Sequence, residues 1–149
     1  MRFLATKEIP VKVTVKTTID ETDPMELIVF GRYFQKENAS YLQYEEVLEE
    51  VGTVRTIVKV SEGEMLILRS GAIKMRLPFQ LQQKLTGSYE MPFGVFETAT
   101  LARKMEFVPS QEQEHGHAAG QIEIVYDFEM QGSHAGTYHL QIHFQPDHM

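Results

Sequence analysis

Apolar and polar residues alternate one for one along most of the chain. Val11, Val13, Val15 and Thr17 interleave with Lys12, Thr14 and Lys16, a period of two that gives an extended strand one dry face and one wet face. The same rhythm recurs over Leu27–Phe34, Ser40–Glu46, Val54–Ser61, Glu64–Arg69, Ala72–Phe79, Lys84–Met91, Val95–Phe107, Gln121–Met130 and Thr137–Phe144. The punctuation between these runs fits hairpins. Glu62-Gly63 and Ser70-Gly71 read as two-residue loops ending in glycine, which supplies the positive φ of a type I′ turn. Lys36-Glu37-Asn38-Ala39 and Met91-Pro92-Phe93-Gly94 read as further turns. Gly31, inside the second run, predicts a bulge or a bend. Glu45–Val51 has enough helical preference for one or two turns, and reads equally as a strand ending in a polar loop. Pro109–Gly120 is polar and aperiodic, the pattern of a mobile loop.

About ten strands joined by short turns, with no βαβ spacing, imply an all-β antiparallel meander whose edges must be protected. Closure into a β-barrel of about 8–10 strands does this most economically; a sandwich is the alternative. The 149 residues form one domain, residues 1–149, able to bury roughly 68–70% of its unfolded surface. The absence of cysteine excludes thiolate catalysis, zinc fingers and disulfide frameworks. No stretch approaches the roughly 18 consecutive apolar residues of a membrane span, and no apolar run follows Arg2 to make a signal peptide. The expected location is cytoplasmic, with no membrane partner.

Charge changes the picture locally. The chain carries 14 Lys and Arg against 21 Asp and Glu, a net of −7, which argues against generic nucleic-acid binding. Residues 52–79 run the other way. Arg55, Lys59, Arg69, Lys74 and Arg76 face only Glu62 and Glu64 there, a local net of +3 that leaves −10 for the remainder.

The central block GTVRTIVKVSEGEMLILRSGAIKMRLPF (Gly52–Phe79), with YLQYEE (Tyr41–Glu46) upstream and YEMPFG (Tyr89–Gly94) downstream, resembles the YwiB-like family of bacterial proteins. The resemblance covers about two-thirds of the chain. It implies a calycin or lipocalin-like barrel, favouring the barrel over the sandwich, and it implies no activity, because the family is a domain of unknown function. The chain departs from true lipocalins in having no tryptophan. It also shows no recognisable arginine–tyrosine carboxylate clamp of the fatty-acid-binding barrels, so hydrophobic-ligand transport is not carried over.

Candidate chemistry centres on the basic cluster. Lys74 and Arg76 share a strand face, and a two-residue loop at Ser70-Gly71 would pair Arg69 with Ala72 and put it on that face too. Arg55 and Lys59 share a face of the preceding strand. Ile73, Met75, Leu77 and Phe79 form the opposite, core-facing stripe. Outside the barrel these cations would meet water, an acidic protein or RNA. At its mouth they would meet a small anion such as a carboxylate or phosphate, for which the rigid arginine fork is suited. Glu45 and Glu46 face opposite ways on one strand, so one of them can turn inward and orient an arginine, Arg55 or Arg76. Tyr44, Glu46 and Tyr89 are the candidate orienting partners.

Other constellations are weaker. His139 and His143, four apart on a strand, are separated by about 13 Å and cannot share an ion, and His115 with His117 lacks a third ligand. No metal or other cofactor is expected. Tyr33, Phe34, Tyr41, Phe93, Phe96, Tyr126, Phe128, Tyr138 and Phe144 should mostly fill the barrel. No nucleophile elbow or phosphate loop is present. The expectation is a non-enzymatic binder of a small, anionic ligand. Its alternatives are an interaction module using an external basic face, and an enzyme with acid–base residues at the barrel mouth. The oligomeric state stays open.

Overall fold

A computed structural model describes residues 7–109 and 119–147. Ten strands follow in order: β1 (Ile9–Ile19), β2 (Met25–Lys36), β3 (Ala39–Leu48), β4 (Gly52–Ser61), β5 (Glu64–Gly71), β6 (Lys74–Gln80), β7 (Lys84–Met91), β8 (Gly94–Pro109), β9 (Gly120–Met130) and β10 (Ser133–Pro146). Each pairs antiparallel with its sequence neighbours, and β1 pairs with β10, closing the barrel. The period of two is what folds this way. Val11, Val13 and Val15 point inward from β1, as do Ile122, Ile124, Tyr126 and Phe128 from β9, and both sets are buried. Closure leaves no free sheet margin at the first and last strands.

The turns decide the register. Lys36↔Ala39, Ser61↔Glu64, Met91↔Gly94 and Met130↔Ser133 each close a two-residue loop, with Glu37, Gly63 and Gly132 at positive φ. Ser70-Gly71 is different and overturns the expected loop. Gly71, at φ 94, stays paired with Val54, and the Ala72 N–H donates to the Thr53 carbonyl at 3.0 Å. The register across β5 and β6 is therefore Arg69↔Met75 rather than Arg69↔Ala72. That shift of three residues turns Arg69 to the opposite face from Lys74 and Arg76.

Two open alternatives are decided, against a bulge at Gly31 and for the strand reading of Glu45–Val51. The ladders on both sides of Gly31 run without a register shift, so no bulge forms there. Glycine is required by close approach instead, since a Cβ would lie 2.0 Å from the Gln43 carbonyl oxygen. Glu45–Val51 forms no helix; β3 continues to Leu48 before turning. The register shifts that do occur lie at Ala102/Lys104 in β8 and His134/Gly136 in β10. The loop expected over Pro109–Gly120 falls, for residues 110–118, outside the described residues.

Two seams are short. β2 and β3 pair only from Gly31↔Tyr44 to Lys36↔Ala39. β6 and β7 share three pairs, Lys74↔Glu90 to Arg76↔Ser88; beyond them β8 reaches β6 directly, the Thr100 hydroxyl donating to the Pro78 carbonyl. The loops after β1, β3, β5, β7 and β9 gather at one end of the barrel. At the other end the interior is filled, with Val11, Leu42, Val58 and Phe79 nearly inaccessible and Tyr33 stacked on Phe144 at 4.9 Å between centroids.

Candidate functional site

Toward the end that carries the odd-numbered loops, the inward-facing side chains become polar. Arg69 on β5 and Glu46 on β3 meet there, Nη2 to Oε1 at 2.6 Å, with their side chains 26% and 14% exposed. Glu46 turns inward because it is two residues beyond the buried Tyr44 on the same face of β3. The buried Thr56 lies opposite both Tyr44 and Arg69 in the sheet. Met75 and Tyr89 continue this row across β6 and β7. From the far wall, Tyr126 on β9 and Tyr138 on β10 stack at 5.4 Å.

The electrostatics tie the two walls together. Burial pushes the Tyr44 phenol up to about 12, against the opposing pull of the Arg69 charge, with Glu46 reinforcing the rise. Burial also raises Tyr126, again opposed by Arg69, so the field of this one guanidinium is felt on both sides of the interior. Tyr138 rises through burial and the nearby Asp20 carboxylate. These phenols stay neutral at physiological pH and keep a proton to donate. Among the described residues Thr98 Oγ1 is buried with no hydrogen-bond partner, and so is Thr56 Oγ1, which lies near Tyr44 without reaching hydrogen-bond geometry. Orphaned buried hydroxyls are uncommon and cost free energy unless something else satisfies them.

The five cations do not assemble. Arg55, Lys74 and Arg76 are exposed on the outer wall, and Lys59 is partly covered there. Arg55 pairs with Glu45 at 3.2 Å. Lys59 sits 5.8 Å from the centroid of the Tyr41 ring, which itself stacks on Phe34 outside the barrel. Lys74 lies opposite Glu90. Arg69 alone of the five turns inward. Its carboxylate partner is Glu46, as a residue free to face inward, and the arginine it orients is neither Arg55 nor Arg76. Tyr44 belongs to the interior site, and Tyr89 follows Met75 in the same inward row. Thr56, Thr98, Tyr126 and Tyr138 complete the polar interior. Thr56 and Thr98 were visible in the sequence as hydroxyls occupying the apolar phase of their strands.

Outside the barrel, Glu123 binds Lys104 at 3.0 Å and His139 at 2.5 Å. Among the described residues no group of three or more His, Asp or Glu side chains is placed to hold a metal ion; His115 and His117 lie outside those residues.

Comparison with known proteins gives consistent matches. The family model described as Domain of unknown function (DUF1934) matches residues 9–142. The uncharacterized β-barrel protein YwiB of Bacillus subtilis (strain 168) is 34% identical over 142 residues, spanning 93% of this chain and 95% of that protein. The crystal structure of the ywiB protein from Bacillus subtilis superposes with a TM-score of 0.82 at 33% identity, covering 97% of this chain and 96% of that one. No helix among the described residues is long and apolar enough to cross a membrane.

Proposed function

Because the chain belongs to the DUF1934 family of β-barrel proteins, whose fold is shared but whose function is not assigned, we propose that it is a non-enzymatic binder of a small anion. The ligand would be held at the loop-bearing mouth of the barrel, over Arg69. One observation carries this reading: of the five basic residues in Gly52–Phe79, one is turned into the barrel and fixed there by a carboxylate. A guanidinium has five N–H donors, and among the described residues Arg69 spends one hydrogen bond on Glu46. The remaining donors suit a carboxylate or phosphate taken bidentately. Glu46 sets the orientation of the fork, Tyr44 offers a protonated phenol, and the unpartnered Thr56 and Thr98 hydroxyls offer further polar contacts. Calycin-like ligand binding and a cytoplasmic setting belong to the same proposal.

The test is a thermal-shift screen with small carboxylates and phosphates. At least one anion should raise the Tm of the wild type and leave Arg69→Gln unmoved. The Arg55→Gln/Arg76→Gln double variant should respond like the wild type. A screen in which no anion shifts the wild type, or a shift that survives in Arg69→Gln, rejects the site.

The outer placement of Arg55, Lys59, Lys74 and Arg76, with the exposed Leu68 between β4 and β6, supports a second reading. That face would meet an acidic protein or RNA through contacts that weaken with salt. A response lost in the Arg55/Arg76 variant and kept in Arg69→Gln favours it.

A further inference from the structure

We propose that the fork between β2 and β3 is a docking site for an extended peptide segment of a partner protein, one that alternates apolar residues with Lys or Arg. The ladder between these strands ends at Gly31↔Tyr44. Both strands nevertheless continue toward the loop-bearing end, and among the described residues β2 is held through Met25–Phe30 only by β1, and β3 through Glu45–Leu48 only by β4. Lys36↔Ala39 closes a two-residue hairpin and is therefore a hydrogen-bonded pair. Counting by twos from it, Glu26, Ile28 and Phe30 on β2, and Glu45 and Val47 on β3, aim their backbone N–H and C=O groups into the fork. That is a pair of facing unpaired edges inside an otherwise closed barrel, the feature that an added strand completes.

Side chains and shape agree with the backbone. Ile28, Phe30 and Val47 flank the fork on its outer side and are 53%, 60% and 79% exposed. At the crotch, where the strands part, lies a concavity of about 450 Å³ whose walls include Phe30, Gly31, Gln43, Glu45 and Arg55. The occupant's charge follows from the rim. Arg32 and Arg55 are already met by Glu8 and Glu45, and Glu26 lies opposite Lys16 on β1, whereas the exposed Asp23, Glu49 and Glu50 stand at the open end. A basic, alternating strand offers apolar side chains to the exposed wall and cations to that rim. A second copy of this chain would bring the same acidic rim and its own net charge of −7, so the geometry favours a foreign segment.

The probe is an acetylated, amidated nine-residue peptide alternating valine and lysine, titrated by fluorescence anisotropy and by amide hydrogen exchange. It should bind, and should protect the amides of Ile28, Phe30, Glu45 and Val47. An N-methyl group on every other residue should weaken it at least tenfold, since a strand between two edges uses both its alternations. Phe30→Lys and Ile28→Lys should weaken it similarly, whereas Val95→Thr, an exposed position on β8 away from the fork, should bind as the wild type. No binding, equal binding by the N-methylated peptide or by its glutamate-for-lysine analogue, or unchanged exchange in the fork overturns the proposal. A concentration-dependent dimer in sedimentation that Phe30→Lys dissociates would assign the fork to a second copy, and also overturns it.

Discussion

Arg69 and Glu46 occupy a site where a charge is expensive to leave alone. Both side chains are less than a third exposed, so removing one strands the other in a poorly solvated interior. Losing one partner of a fully buried pair costs about 3–5 kcal/mol, while replacing both with apolar groups is often neutral. The partial exposure here lowers the single-variant cost to about 2 kcal/mol. Urea denaturation should therefore find Arg69→Met clearly destabilised and the Arg69→Met/Glu46→Leu double variant largely restored. A single variant as stable as the wild type would show that the pair is solvated in solution. The same residue marks where sequence reading stopped. That Arg69 belongs to a special cluster was legible from charge alone. Its direction was not, because Gly71 extends β5 past the apparent turn, and an odd shift in register exchanges the two faces of every following residue. Gly31 misled for a related reason: a glycine needed for the approach of the Gln43 carbonyl has the same local signature as one needed for a bulge.

Strands and hairpins were largely legible, since each rests on a local rhythm and a local turn. The charge pairs that stitch one strand to the next across the outer wall leave no such mark. β9 shows this on its outer face. Glu123 reaches Lys104 on β8 and His139 on β10, and Asp127 reaches Arg103 on β8 and Thr137 on β10. The Lys104 and His139 hydrogen bonds hold the Glu123 carboxyl below its usual 4.5; Arg103 likewise holds Asp127 below 3.8. A carboxylate depressed in the folded state stabilises fully above its unfolded pKa and loses that contribution as pH falls through the folded value. The Tm difference between wild type and Glu123→Gln should therefore be fully developed at about pH 5.5, above the unfolded carboxyl range. It should shrink on acidification below 4.5 and vanish in strong acid. The effect is about 1 kcal/mol or less, because Lys104 and His139 are more than a third exposed. A difference that grows toward low pH would contradict the assignment.

Closure of the barrel couples the first strand to the last, and this has a kinetic consequence. Every other ladder joins consecutive strands, whereas Val13↔Phe144 pairs residues from opposite ends of the chain. The entropy of closing so long a loop is recovered only once the intervening meander is in place, so this seam should form after the rate-limiting step. Val13 is fully buried, and Val13→Ala should cost about 2 kcal/mol through lost burial and the cavity left behind. If the seam zips last, nearly all of that loss appears as faster unfolding, with the refolding rate hardly changed. Val58→Ala, in the β3–β4–β5 meander at Leu42↔Val58↔Ile67, removes the same side-chain volume from a locally paired core position and should slow refolding instead. Stopped-flow chevrons of the two variants decide it. A Val13→Ala variant that refolds as slowly as Val58→Ala would mean that the ends meet early, with the barrel closing before its central hairpins are set.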